Sequence, residues 1–283
     1  MSYTYTTLDG WQYPPPPPAA GTYGLDIRQG NSGDCYFIAA LIALAWSTPT
    51  LLYGQFETTP PPTSPPPRNH RYSFRPFGTP ASSPFTTPET LAVDDTTHTL
   101  VFARRAPPND VYIWSGIYEK AYAKYRQRGA DPPAIEDLGQ YNALWALNEV
   151  INATTRSMVT TGATFLSDIK TRGGIAAAGG KTTKPLVAWT YHDQASTPGG
   201  SYSWDDLIVA NHTYAILGYL RQDSVDYIVL RNPYGYSTVT AGTAKTGFIE
   251  CTPAWCTARF IDGNFALSVS QFPHYFEAVA YKA

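Results

Sequence analysis

Charge is scarce in this sequence. Asp, Glu, Lys and Arg make up 15% of 283 residues and nearly cancel, leaving a formal net charge of -2. An average globular chain carries roughly 25% charged residues. So balanced a chain offers no electrostatic footprint for nucleic acid or an anionic membrane surface. Cysteine is rare too: Cys35, Cys251 and Cys256 are too few, and odd in number, for a disulfide framework. No His or carboxylate pattern around Cys251 and Cys256 suggests a metal, so packing is their expected role. Long apolar runs are missing as well. The stretch from Cys35 to Trp46 falls short of the roughly 18 residues of a membrane helix. Met1 to Pro18 has neither the basic nor the apolar region of a secretory signal, so a cytoplasmic protein is expected. The sequons Asn152-Ala153-Thr154 and Asn211-His212-Thr213 are accordingly expected to carry no glycan.

Proline and tyrosine, by contrast, are plentiful. Residues 1–24 form a Pro-, Thr- and Tyr-rich arm with five consecutive prolines, Pro14–Pro18, expected to be extended and able to dock on the domain or on a protein partner. A second proline-dense stretch, residues 58–67, reads as a loop insertion. Alternating strands are expected at 71–77, 91–93 and 99–104, and helical spacing at 111–125, 140–152 and 164–171. After Gly173-Gly174 the pattern changes. Strands are expected at 185–190, 207–219, 226–230, 247–250, 264–270 and 275–281. A helix-rich half followed by a strand-rich half implies an α+β fold in two lobes, residues 25–180 and 181–283.

The chain is organised around Gln29-Gly30-Asn31-Ser32-Gly33-Asp34-Cys35, a polar turn that runs into the apolar segment ending at Trp46. Asp34 suits an N-cap or first-turn position, and the apolar segment reads as a buried helix. Cys35 then falls in the first helical turn, where the macrodipole and unpaired N–H groups are expected to lower its pKa. A nucleophilic cysteine also needs an imidazole, an orienting group and oxyanion donors. Of five histidines, His70 and His98 lie in polar or proline-rich sequence and His192 precedes Pro198-Gly199-Gly200, so all three read as solvated; His274 follows Pro273 and reads as capping a turn. His212 alone opens an apolar strand, and Asn232 ends the next one, within reach across an antiparallel pair.

These residues resemble the calpain family of cysteine proteases. Residues 29–35 are similar to its Q-G-x-x-G-D-C-W motif, Asn211-His212-Thr213-Tyr214-Ala215-Ile216 to its G-H-A-Y-S-V strand, and Arg231-Asn232-Pro233-Tyr234-Gly235 to R-N-P-W-G. Val93-Asp94-Asp95 with Glu119-Lys120-Ala121-Tyr122-Ala123-Lys124, and Asp262-Gly263-Asn264-Phe265 onward, resemble two further family segments in the same order. The resemblance implies a papain-like fold and an endopeptidase hydrolysing polypeptides through a thioester, with Cys35 as nucleophile, His212 as acid–base and Asn232 as imidazole orienter. Gln29 would be an oxyanion donor beside the Cys35 N–H. Tyr36 and Tyr234 stand where the family has Trp, and Asn211 where it has Gly.

The resemblance also implies a first-lobe calcium site at Asp26 with Glu136. The second-lobe site is expected to be lost, because Asn264 replaces a carboxylate there. No cofactor is expected to be required, and a monomer is expected. Two alternatives accompany this reading: a non-catalytic calpain-fold binding module, and a transglutaminase-type acyl transferase, which normally uses an aspartate orienter.

Overall fold

The computed structural model describes residues 6–7, 27–51, 69–74, 89–94, 96–97, 103–105, 114–127, 133, 138–139, 142–151, 153–193, 196, 208–236, 247–250, 255 and 263–283. The loop at 58–67, most of the proline-rich arm, Cys251, Cys256 and His98 lie outside them. The elements are β1 (Thr6–Thr7), β2 (Ile27–Arg28), α1 (Cys35–Ser47), β3 (Asn69–Phe74), β4 (Glu89–Asp94), β5 (Thr96–Thr97) and β6 (Arg104–Arg105). They continue with α2 (Trp114–Arg126), α3 (Ala143–Ile151), β7 (Thr155–Val159), α4 (Phe165–Gly173), β8 (Gly180–Thr190), β9 (Thr213–Gln222) and β10 (Val225–Arg231). Last come β11 (Phe248–Ile249), β12 (Asn264–Ser268), α5 (Phe272–Tyr275) and β13 (Phe276–Lys282).

A seven-stranded antiparallel sheet in the order β11-β12-β10-β9-β8-β13-β7 organises the fold. Its strands alternate with period two. Val187, Ala215, Leu217, Val229 and Ala280 point into the core around α1, whereas Leu186, Tyr214, Ile216, Leu230 and Val279 point into a second core with Phe165 and Phe272. The chain is therefore mixed α+β, with helices on both faces of one sheet.

The sequence pattern missed β7. It is an edge strand with one buried residue, Thr155, at its start, so the apolar alternation that marks a strand is absent. Its backbone pairing with β13 defines it instead. The seven-stranded sheet thus draws in a strand that precedes residue 180. The expected strand at 207–219 is also divided, with β9 beginning at Thr213. The break is at Asn211, whose φ of 52° is left-handed and incompatible with extended chain. His70, expected in a loop, lies in β3 opposite Val93 of β4.

α1 is buried on all sides, as a helix apolar around its whole circumference must be. It packs on β8 and β9 on one side and on α3 and α2 on the other. Phe37 stacks on Tyr122 at 4.1 Å and on Tyr118 at 5.9 Å, and Phe74 of β3 closes the cluster against Tyr125 at 5.0 Å. Toward its C-terminus, Trp46 donates its indole N–H to Leu217 O of β9 at 2.7 Å, fixing the helix's axial position on the sheet.

Buried polar groups tie α2 to α3. Glu149 accepts from the Tyr122 hydroxyl at 2.7 Å and from Arg126 Nη1 at 3.1 Å. Burial nonetheless pushes its carboxyl up to about 7, outweighing the Arg126 guanidinium. A carboxyl raised above its unfolded value contributes stability below the ordinary carboxylate range and loses it as pH rises through 7. Glu149→Gln is expected to flatten this dependence, read as the urea midpoint of wild type and variant from pH 5 to pH 8.

Candidate active site

Residues 29–34 deliver the chain into α1. Asp34 closes the turn through its backbone, its carbonyl accepting from Phe37 N–H at 2.9 Å and Ile38 N–H at 3.1 Å. Its side chain does not cap the helix, contrary to the sequence expectation. The carboxylate turns beneath the turn, where Ser32 Oγ lies 2.5 Å from its Oδ1. Cys35 follows as the first helical residue, its thiol half-buried and held by the backbone and side chain of Thr213. The first N–H groups of a helix have no intrahelical partner and are available to a ligand.

His212 occupies the bend between Asn211 and β9. Its backbone is locked to Thr190 of β8: His212 N–H donates to Thr190 Oγ1 at 2.9 Å, and Thr190 N–H donates to His212 O at 2.9 Å. The ring lies between Tyr214, edge-on at 5.1 Å, and Tyr234, tilted over it at 4.5 Å. Tyr234, one of the two tyrosines that stand where the family has Trp, is thus placed over the imidazole. Tyr36, the other such residue, is buried and donates its hydroxyl to Leu138 O at 3.1 Å.

Asn232 sits in the turn after β10 and is buried. Its Oδ1 lies 2.9 Å from His212 Nε2 and also accepts the Tyr234 backbone N–H at 3.0 Å. An amide oxygen only accepts, so this contact fixes the tautomer: Nε2 carries the proton and Nδ1 offers its lone pair. Gly235 completes the turn with φ 67°, and a Cβ there would lie 2.3 Å from Arg28 Cγ. Only glycine lets β2 approach so closely. That approach joins the cysteine turn to the asparagine turn. Gln29 N–H donates to Pro233 O at 2.8 Å, and Arg231 Nη2 donates to Ile27 O at 2.8 Å.

A cleft of about 140 Å³ opens where these segments meet, lined by Cys35, Asn142, Trp189, Asn211, His212 and Thr213 among others. Asn142, Trp189 and Thr213 were not singled out from the sequence. Only Thr213 had a signal, its position next to His212.

The electrostatics correct one expectation. Burial pushes the Cys35 thiol up to about 11, with Asp34 adding to the effect, instead of lowering it through the helix N-terminus. Burial also pushes His212 down to about 4, and the Asn232 hydrogen bond opposes this only in part. Free of substrate, both groups are therefore neutral near neutral pH.

Gln29 is not among the cleft residues. Its Nε2 donates to Ser32 O at 2.6 Å and lies 3.4 Å from Asp34 Oδ1. Asp26 and Glu136 lie outside the described residues, among which no three His, Cys, Asp or Glu side chains are grouped to hold a metal. Asn264, where a second-lobe carboxylate would stand, is buried with its Oδ1 accepting from Arg231 Nη1 at 3.0 Å. His192 is exposed beside Asp193, and His274 lies in α5. No helix among the described residues is long and apolar enough to cross a membrane.

Residues 18–281 match the calpain family of cysteine proteases. The chain is similar to a thiol protease of Porphyromonas gingivalis, 25% identical over 281 residues, a match covering 90% of this chain. The chain spans about half of that relative, 54% of its length. A half-buried cysteine opening the central helix, an imidazole held by an asparagine at the same cleft, and a family match from residue 18 to residue 281 lead to one conclusion: the chain belongs to the calpain family of cysteine proteases.

Proposed function

We propose that this chain is a cysteine endopeptidase with a papain-like, two-lobed catalytic arrangement, Cys35, His212 and Asn232 acting together at the cleft. The observation that carries this reading is the His212 Nε2–Asn232 Oδ1 contact of 2.9 Å, which leaves Nδ1 as the base at a cleft shared with Cys35. As Cys35 Sγ attacks the peptide carbonyl carbon, Nδ1 takes the thiol proton. The imidazolium then gives it to the departing amine, leaving a thioester that water hydrolyses with His212 again as base. Asn232 holds Nε2–H throughout, and Tyr214 and Tyr234 keep the ring in plane.

The Cys35 backbone N–H supplies one oxyanion donor. Gln29 is the proposed second: one of its two amide hydrogens is held by Ser32 O, and the other has only the long 3.4 Å contact with Asp34. Polypeptides are the proposed substrates. Arg231–Ile27, Gln29–Pro233 and Trp46–Leu217 hydrogen bonds already register the cysteine segment against the sheet that carries His212. The site is therefore proposed to be assembled without calcium.

An irreversible epoxide directed at papain-like cysteine proteases, read by intact mass, tests this. The expected result is one adduct per chain at Cys35 without added calcium, absent in Cys35→Ala. Labelling only with calcium would sink the proposed calcium independence. No labelling of folded protein in either condition would favour a non-catalytic binding module, a reading supported by the inward-turned Gln29 amide.

A further inference from the structure

Beneath the nucleophile lies a buried polar chain that the triad does not use. Ser32 Oγ sits 2.5 Å from Asp34 Oδ1 and 2.8 Å from Glu119 Oε1, and Glu119 Oε2 accepts the Ala103 N–H. Asp34 and Glu119 are both 0% exposed. A hydroxyl has one hydrogen, so Ser32 can donate to only one of the two carboxyl oxygens it touches. Were both groups ionised, its second contact would set lone pair against lone pair between two buried negative charges. The contacts balance if a carboxyl keeps a proton: Glu119 Oε1–H donates to Ser32 Oγ, and Ser32 Oγ–H donates to Asp34 Oδ1.

We propose that Glu119 is a protonated positioning residue whose hydrogen-bond chain through Ser32 to Asp34 sets the turn from Gln29 to Cys35 for catalysis. The inference rests on the cysteine-protease reading given above. Asp34 is the hub of that turn. Its carbonyl starts α1, its carboxylate takes the Ser32 hydroxyl, and Gln29 Nε2 approaches the same oxygen. Glu119 belongs to α2, so the chain ties the nucleophile's turn to a separate buried helix.

The surroundings agree. Cys35 and Tyr36 of α1, Gln29 and Ser32 of the turn, and the Ala103 backbone face the pair. Burial is the largest influence on both carboxyls, and it raises each. Burial pushes Glu119 well above the usual carboxylate range, and Asp34 adds to the shift. A full negative charge on both groups would also hold the neighbouring thiol protonated, because Asp34 already pushes Cys35 up.

Glu119→Gln is the discriminating variant, since a glutamine amide presents one donor and one acceptor in the place of a protonated carboxyl. It is expected to keep kcat/KM on an unfolded protein substrate within about threefold of wild type. Its alkaline limb is expected to move to lower pH, because glutamine cannot acquire the second negative charge that would hold the Cys35 thiol protonated. Ser32→Ala, which cuts the chain, is expected to lose about a hundredfold, the scale of a small misplacement of reacting groups.

The proton itself is read without activity. The infrared difference spectrum of wild type minus Glu119→Gln at neutral pH is expected to show the carbonyl stretch of a protonated carboxyl. Absence of that band overturns the proposal. So does a Glu119→Gln protein that fails to fold, or one that loses activity about a hundredfold with no change in pH profile. A wild type without Cys35-dependent cleavage would instead overturn the protease reading and leave the infrared band to decide the proton.

Discussion

Cys35→Ala is expected to lower turnover of an unfolded protein substrate by on the order of a million-fold, the loss seen when a protease nucleophile is removed. No other group lining the cleft takes its place: Thr213 holds the thiol and His212 lines the same cleft, but neither sits at the N-terminus of α1. The fold is expected to survive. The substitution removes one half-buried sulfur from a helix whose other core contacts, Phe37 on Tyr122 and Trp46 on Leu217, are untouched. Stability is expected to change by no more than about 1 kcal/mol. The paired measurement is turnover and urea midpoint on the same preparations. Equal turnover in both proteins would refute Cys35 as nucleophile, whatever the midpoint shows.

The acid limb of kcat/KM is expected near pH 4 instead of near 6.5, because burial disfavours the imidazolium of His212 in the free enzyme. The alkaline limb follows the thiol, which burial pushes up to about 11. A broad plateau of activity between the two limbs results. Asn232→Asp replaces a neutral acceptor of the Nε2–H with a charged one. That carboxylate favours imidazolium, so the acid limb is expected to rise by about 1–3 pH units.

The same depressed value has a stability consequence. Below 6.5 the unfolded chain takes up a proton that the folded chain refuses until about 4, so stability falls as pH drops through that window. The loss amounts to about 3 kcal/mol for this group at full development. Glu149 acts in the opposite sense over an overlapping window, so wild type alone does not isolate His212. Comparison of His212→Gln with wild type does. A wild-type acid limb at 6.5 that Asn232→Asp leaves in place would refute the assigned imidazole environment.

Much of this was legible in the residues. The apolar run from Cys35 to Trp46 has no polar face, and a helix of that kind can only be central; it is. His212 was separated from the other four histidines because an apolar strand follows it, and Asn232 because it ends the next strand; the antiparallel pairing of β9 with β10 brings them together. The strand β7 was not legible, since an exposed edge strand is specified by its partner's backbone and not by its own side chains. Nor was the direction of the Asp34 side chain, because capping and burial against Glu119 are equally compatible with the local sequence.

By itself, then, the sequence determined the central helix, the triad candidates and the α+β class, because periodicity and turn chemistry are local properties of neighbouring residues. The protonation of the site was decided only by tertiary structure. Cys35 at a helix N-terminus reads as a lowered thiol, yet burial removes water and, with the Asp34 charge adding to it, outweighs the Thr213 hydrogen bonds and reverses the sign. Gln29, Ser32, Asp34 and Glu119 form one chain only because α2 returns 87 residues later to pack under the turn. Desolvation and proton sharing depend on which distant groups exclude water from a site, and no local pattern carries that information.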